Sequence, residues 1–578
     1  MKRHFLLALA LLTMNEAYSQ ETIFERSAGQ KTPTYEEGMA WFRQLDRQFP
    51  EMEIRQMGPT DSGEPLHLIV VSNDRNFDLA AQRKKGKTIL LIDNAIHPGE
   101  PDGVDACQLL LRDLLGRKNG KKLPDNVVLC VIPFYNIDGT LNRNSHSRAN
   151  QNGPDAYGFR ANGRNYDLNR DFAKADSRNA ASFAEIFHRV DPDVFVDTHV
   201  SNGADYQHVM TLITTQHNKL GGALGAFLHT QMEPYLYREM KRLGFPMTPY
   251  VTNFGPNVTK EGFSGFIDYP RYSTGFAALF QTIGFMPETH MLKPYRDRVK
   301  ATYDLLTVFL TFTAEHGAAI RELRRKDREA VKTQSVFPLA WQKDAGRSDS
   351  IEFLGYEHGY KPSDVSGQPR LYYDRTKPFR MDVPYFDYFK PTLTATRPEA
   401  YIIPQAWWPV IERLKINGVA MQRMEKDMTL TVEVQRIESY QTSQRAYEGH
   451  YPHTDVKVST SLQPIPFRKG DYIITCNQDK NRYLVEMLEP TSPEGFFAWN
   501  FFDSILQQKE GYSDYVFEDL AAGWLREHPE LREKLEARKK EDAEFAKNGR
   551  AQLDFVYRNS PYYEPEHMRY PIFRVPVK

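Results

Sequence analysis

Three cysteines in 578 residues are too few to staple a fold, and they lie too far apart in the chain to form a zinc cluster. Cys107, Cys130 and Cys476 sit in or beside apolar stretches (VDACQLLLRDLL, NVVLCVIPF, DYIITCNQD), so they read as small buried side chains. Neither sign of charge is in excess: 74 basic residues face 75 acidic ones, a net charge of -1. Long-range attraction to nucleic acid or to an anionic membrane is therefore not expected. Beyond the N terminus no run approaches 18 uninterrupted apolar residues, so no membrane span is expected. Internal repeats and low-complexity tracts are also missing.

What is there begins with MKRHFLLALALLTMNEAYSQ. Lys2 and Arg3 form a basic start, Phe5 to Leu12 a short apolar run, and Ala17-Tyr18-Ser19 a small-residue cleavage site. This is the pattern of a secretory signal peptide over residues 1–19, so a secreted or periplasmic protein is expected. No cysteine lies near that site to carry a lipid anchor. The length predicts two or more domains, and 40% hydrophobic with 26% charged residues is a globular composition.

Apolar periodicity predicts a helix over Tyr35 to Phe49 and two strands around the Ser-Gly turn of EIRQMGPTDSGEPLHLIVVS. KTILLIDNAI, NVVLCVIPFYNIDG and DVFVDTH read as strands buried on both faces. Helices over EPDGVDACQLLLRDLL and Ser177 to Arg189 alternate with them. The expected fold is α/β, a mixed central sheet flanked by helices, spanning residues 20–320. A helix from about Pro294 to Glu315 closes it, and charged residues 318–334 read as the end of that helix plus a connector, the connector placed at 321–334. From 335 to 578 the chain is dense in Tyr, Phe and Pro, and DMTLTVEVQRI alternates as a strand. A β-rich accessory region is expected there, with one helix over Gln405 to Leu414 and a charged, solvated helix over Arg526 to Lys547.

In NAIHPGEPDG, His97 and Glu100 stand three residues apart. With 16 histidines and 75 acidic residues, about two His-x-x-acid pairs are expected by chance, and His188 with Asp191 is another. Position separates them. His97 lies just past one buried strand and His199 closes another, and in such sheets ligands bind beyond the carboxyl ends of strands. A catalytic zinc needs three N/O ligands and one open position for water, and His97, Glu100 and His199 supply such a set. His208, His217 and His290 read as structural or surface histidines.

Five motifs in order, HPGE, NIDGT, GFRANGRNYDLNRDF, DTHVSNG and PETH, resemble the carboxypeptidase A-like zinc metallocarboxypeptidases over roughly residues 30–315. The stretch Cys476 to Asp503 also looks like the C-terminal region of large bacterial members. The resemblance implies one Zn2+ per chain on His97, Glu100 and His199, with Asp167 accepting a hydrogen bond from His97. It implies that Asn169 and Arg170 hold the C-terminal carboxylate of a peptide substrate. It makes Arg160, with Arg164 its competitor, the arginine that polarises the scissile carbonyl, and Glu288 the general base. Ile267 matches the floor of the pocket for the terminal side chain, which favours an apolar or aromatic residue. The family's mobile tyrosine has no match in NVTKEGF; Tyr250, Tyr269 and Tyr272 are candidates. The expected activity is a zinc exopeptidase acting at free C termini. Two rivals stay open: a zinc amidase or deacylase on acyl amino acids or cell-wall peptides, and a non-catalytic binding protein on a peptidase fold.

Overall fold

The computed structural model describes residues 20–577 other than 253, 254 and 257. The signal-peptide reading of residues 1–19 lies outside them. Helix α1 (Tyr35–Gln48) starts at a Thr34 capping box and packs Met39, Phe42 and Leu45 inward. It leads into the antiparallel pair β1 (Met52–Pro59) and β2 (Pro65–Val71). Three strands, β3 (Thr88–Asp93), β4 (Val127–Ile132) and β5 (Val194–Asp197), are buried at every position. Their unbroken apolar sequences need cover on both faces, and helices α2 (Asp102–Leu115) and α3 (Arg178–Val190) are interleaved with them in the chain. Short strands β6 (His199–Ser201), β7 (Met210–Thr214) and β8 (Thr248–Pro249), helix α4 (Ser273–Leu279) and strand β9 (Ile283–His290) complete the unit.

The nine strands form one mixed sheet in the order β1-β2-β4-β3-β5-β9-β7-β8, with β6 beside β9. At its centre β4, β3, β5 and β9 run parallel. The carboxyl ends of β3 and β5 therefore lie side by side, Asp93 in register with Asp197.

Helix α5 (Tyr295–Thr333) is longer than its apolar pattern predicts. Past Glu315 it keeps Ile320, Arg324 and Val331 buried, and Arg324 binds Asp191 and Asp193 at the start of β5. Charged residues on the same helix pair at three- and four-residue spacing on its exposed side, Glu322 with Arg325 and Lys326 among them. The charged stretch expected as a connector is thus helix.

The C-terminal region is β-rich. Hairpins β10 (Asp349–Pro362) with β11 (Pro369–Phe386) and β12 (Met428–Thr442) with β13 (His453–Phe467) are its largest pieces. Helix α6 (Asn481–Leu488) buries Tyr483 and Leu484 in the same hydrophobic core that holds β3 to β5, and Tyr483 packs on Phe280 with ring centroids 5.4 Å apart. The stretch 526–547, expected as one helix, holds the end of α7 (Asp514–Glu527), then α8 (Pro529–Glu541) and α9 (Ala543–Lys547), with α10 (Gly549–Arg558) following it. Pro529, which lacks a backbone N–H, starts α8, and Asp542 and Asn548 cap the two that follow. Among the described residues no helix is long and apolar enough to cross a membrane. All three cysteines are free and buried.

Candidate metal centre

After β3 the chain turns sharply through Ala95, at φ 58°, and delivers His97 above the sheet. A tight turn follows, Glu100 N–H donating to the His97 carbonyl at 2.8 Å, and α2 begins two residues later. From the neighbouring strand, Thr198 N–H bonds the Asp93 carbonyl, and His199 opens β6. Glu288 is the register partner of His199 across β9. Asp167 caps the single turn Leu168–Arg170, which brings Asn169 and Arg170 to the same cleft.

The side chains converge. His97 Nδ1 and His199 Nδ1 are 3.2 Å apart, and each is 3.2 Å from an oxygen of Glu100. Both rings are braced from behind, since His97 Nε2 is 2.9 Å from Asp167 Oδ1 and His199 Nε2 is 2.8 Å from Asp197 Oδ2. With Nε2–H donated to a carboxylate, each ring turns its Nδ1 lone pair toward the common centre. Two imidazoles and one carboxylate at these separations are the donor set of a catalytic zinc with one face open, so the residues fit that metal. Among the described residues one further trio, His217, His229 and Asp387, brings three such groups together. There the two rings stack face to face at 4.1 Å, so their in-plane lone pairs do not converge, and Glu233 and Tyr388 take both His229 nitrogens.

Charge at the centre is tightly coupled. Burial pushes the Glu100 carboxyl up, but Arg148 and His97 more than offset this and hold it well below the usual range. Glu288 goes the other way: burial, reinforced by the Glu100 charge and opposed by His199 and Arg160, raises it to about 8. A carboxyl poised near neutrality can both take and return a proton. Burial works against a charged His199, yet Asp197, Glu100 and Glu288 hold it well above its ordinary value. This surplus of carboxylates is what a dication would neutralise.

A cleft of about 490 Å³ opens over the centre. Arg148, Arg160, Asn169 and Arg170 line it, with Glu288 at its base. Arg160 grips Asp167 Oδ2 through Nε and Nη2, at 3.0 and 2.8 Å, and its Nη1 lies 3.5 Å from Glu100. Arg164 points away and bonds the Asp176 carbonyl. Asn169 Oδ1 accepts from Ser273 N–H, and the Arg170 guanidinium lies over the Tyr272 ring at 4.6 Å. Ile213, Phe266, Tyr250, Tyr272 and Met286 also line the cleft and give it apolar surface.

Three placements differ from the sequence reading. Ile267 does not line the cleft and its neighbour Phe266 does; residues 265–269 are irregular chain, in which no period says which side chain faces inward. Of the three tyrosines, Tyr250 and Tyr272 reach the cleft and Tyr269 does not. Arg148, unnoticed in the sequence, donates to Glu100 Oε1 at 2.9 Å. It approaches over Gly99, where a Cβ would come within 2.5 Å of its Cδ. Asp197 was missed too, though it stands two residues before His199 and so shares its face of the strand. His188 and Asp191 serve elsewhere: His188 meets Asn417, and Asp191 meets Arg324 and Arg328. His208 and His290 bond backbone carbonyls.

Residues 38–239 match the zinc carboxypeptidase family. Carboxypeptidase 2 of Trichophyton rubrum is 22% identical over 500 residues, covering 82% of this chain and 85% of its own. Among solved structures, a metallo-carboxypeptidase from Burkholderia cenocepacia is 17% identical at a TM-score of 0.36, over 49% of this chain and 69% of that one. Carboxypeptidase A from Helicoverpa armigera is 14% identical at a TM-score of 0.38, over 50% of this chain and 74% of that one.

Proposed function

We propose a reaction for a chain that belongs, through residues 38–239, to the zinc carboxypeptidase family and is a peptide hydrolase: it removes single residues from free C termini. His97, Glu100 and His199 hold the zinc, with Asp167 and Asp197 orienting the two rings. A zinc ion held there would supply Lewis acidity that makes water a competent nucleophile near neutral pH. Glu288 takes the proton released as water attacks the scissile carbonyl and hands it to the departing amine. Arg160 and Arg148 stand where negative charge grows on the carbonyl oxygen, and preformed donors at that point stabilise the transition state. Asn169 and Arg170 receive the terminal carboxylate, for which a planar guanidinium is suited. Ile213 and Phe266, in the place expected of Ile267, select apolar or aromatic terminal side chains. Residues 1–19 direct the chain to a secreted or periplasmic location.

One arrangement carries this reading: the buried Glu288 carboxyl stands beside a three-donor cluster in a cleft lined by arginines. Glu288→Gln keeps the shape and removes the base. Turnover of a blocked dipeptide with a free C terminus should fall by about 10²–10⁴-fold while zinc stays bound. Near-normal rates would overturn the assignment. Equal cleavage of C-terminally amidated peptides by the wild type would remove the carboxylate-anchoring role of Arg170 and favour an amidase.

A further inference from the structure

The turn joining β12 to β13 leaves the accessory region and ends against the metal centre. Glu448 Oε2 accepts the backbone N–H of Asp167 at 2.8 Å, across 281 positions of sequence. Asp167 joins several parts of the site. Its Oδ1 meets His97 Nε2 and the Asn169 N–H, and its Oδ2 meets Arg160. As the cap of the turn Leu168–Arg170, it has a backbone N–H with no partner inside that turn, and Glu448 supplies one.

The local conformation is unfavourable for the residue that occupies it. Glu448 has φ 50° and Gly449 φ 78°, between Tyr447 and His450, which bridge each other. Two successive left-handed residues form the tight hairpin turn in which Asn-Gly or Asp-Gly is preferred. Glutamate is disfavoured there, because in a left-handed residue the Cβ crowds the following carbonyl oxygen. A shorter Asn or Asp would turn more easily but would fall short of Asp167. The neighbours add support. Gly449 sits against Tyr166, where a Cβ would come within 2.7 Å of the ring, and His450 Nε2 lies 2.6 Å from Asp176 Oδ2. Tyr447 and Trp499 flank the Arg271 guanidinium at 5.4 and 5.0 Å, and Arg271 Nε bonds both oxygens of buried Glu494 at 3.0 and 3.1 Å. The next residue, Tyr272, is the platform under Arg170.

We infer that the tip of this hairpin is part of the catalytic site, with Glu448 a positioning residue that fixes Asp167 and through it the His97 ring and the Arg160 fork. The inference rests on the zinc reading above. It makes the C-terminal region a component of the centre, not an appendage.

The test uses the full chain and three readouts: zinc Kd by chelator competition, kcat/KM on a blocked dipeptide, and melting temperature. Glu448→Ala should raise the zinc Kd about tenfold, the scale seen when an outer partner of a ligand histidine is lost. kcat/KM should fall with it. Glu448→Gln keeps an acceptor oxygen and should restore both. Gly449→Ala pushes the tip off Tyr166 and should act like Glu448→Ala without altering a charge. A Glu448→Ala chain that binds zinc as tightly as wild type overturns the inference, even if it melts earlier, since that is the mark of a structural contact alone. If wild-type protein binds zinc but cleaves no peptide, the exopeptidase reading fails while the Kd comparison still decides the role of Glu448.

Discussion

Asp167 and Asp197 perform the same task for different histidines, but their surroundings differ. Asp167 is reinforced by Arg160, whereas Asp197 lies beside Asp93, whose carboxyl is pushed well above the usual range by burial and by the Asp197 charge. Asp197 has only one partnered oxygen, the one on His199 Nε2. An amide in its place can present a donor to that nitrogen and lets the ring flip. Asp197→Asn is therefore expected to weaken zinc binding by about 10–100-fold, measured by chelator competition, with little change in secondary structure by circular dichroism. At this scale the readable residues were those carried by motifs: His97, Glu100, Asp167, Asn169, Arg170, His199 and Glu288 fall within one site. Asp197 was not read, although its two-residue spacing to His199 was a signal for it. Arg148 was not, because SHSRANQ is irregular chain whose course no periodicity reports. The choice between Ile267 and Phe266 turned on one residue of register, which an unwound segment does not encode.

The elements that carry the ligands tolerate little displacement. Helix α2 begins two residues after Glu100, and its second residue, Gly103, is pressed onto the end of β5. A Cβ there would meet Thr198 Oγ1 at 2.0 Å and Asn94 Oδ1 at 2.2 Å, two atoms that hydrogen-bond each other at 2.9 Å. Neither is the loose end of a long side chain, so Gly103→Ala must lift the helix. Overpacking of this kind costs about 1–3 kcal/mol, to be read from denaturant unfolding, and zinc affinity should drop with it because Glu100 moves with α2. Buried strands and the first helices were legible because their apolar periods are unmixed. The ends of long charged segments were not. In α5 the stabilising partners of Arg324 are Asp191 and Asp193, remote in sequence, and the breaks near 526–547 come from one proline and two caps within a uniformly charged stretch.

At the scale of the whole molecule, buried neutral imidazoles contribute to the dependence of stability on pH, and one of them, His208, also joins the two regions. His208 is buried, with Nδ1–H donated to the Pro246 carbonyl at 2.9 Å and Nε2 accepting the Leu354 N–H of β10 at 3.1 Å. His290 is fully buried, its Nε2–H donated to the Ala204 carbonyl at 3.0 Å and its Nδ1 accepting the Leu292 N–H at 3.2 Å. Each ring thus uses one nitrogen as donor and one as acceptor, and a second proton would destroy the accepting bond. Burial, with Lys293 adding to it, pushes both down to about 4. A basic group depressed on folding takes up its proton first in the unfolded chain. The stabilisation it gives is therefore complete above the unfolded value near 6.5 and is lost as pH falls toward 4, by up to about 3 kcal/mol per histidine. Glu288 and Asp93, whose carboxyls are raised on folding, gain stability as the pH falls and oppose this loss, so the histidine share is read in metal-free protein as the part of the change in melting temperature between pH 6.5 and 4.5 that His208→Gln removes. Because protonation of His208 breaks its link to Leu354, amides of β10 should exchange with solvent before those of β3 to β5 as the pH drops. A His208→Gln chain whose melting temperature changes over that interval by as much as the wild type's would mean that His208 is protonated without loss in the folded chain, and the inter-region bond through His208 would then contribute nothing to holding the hairpin in place.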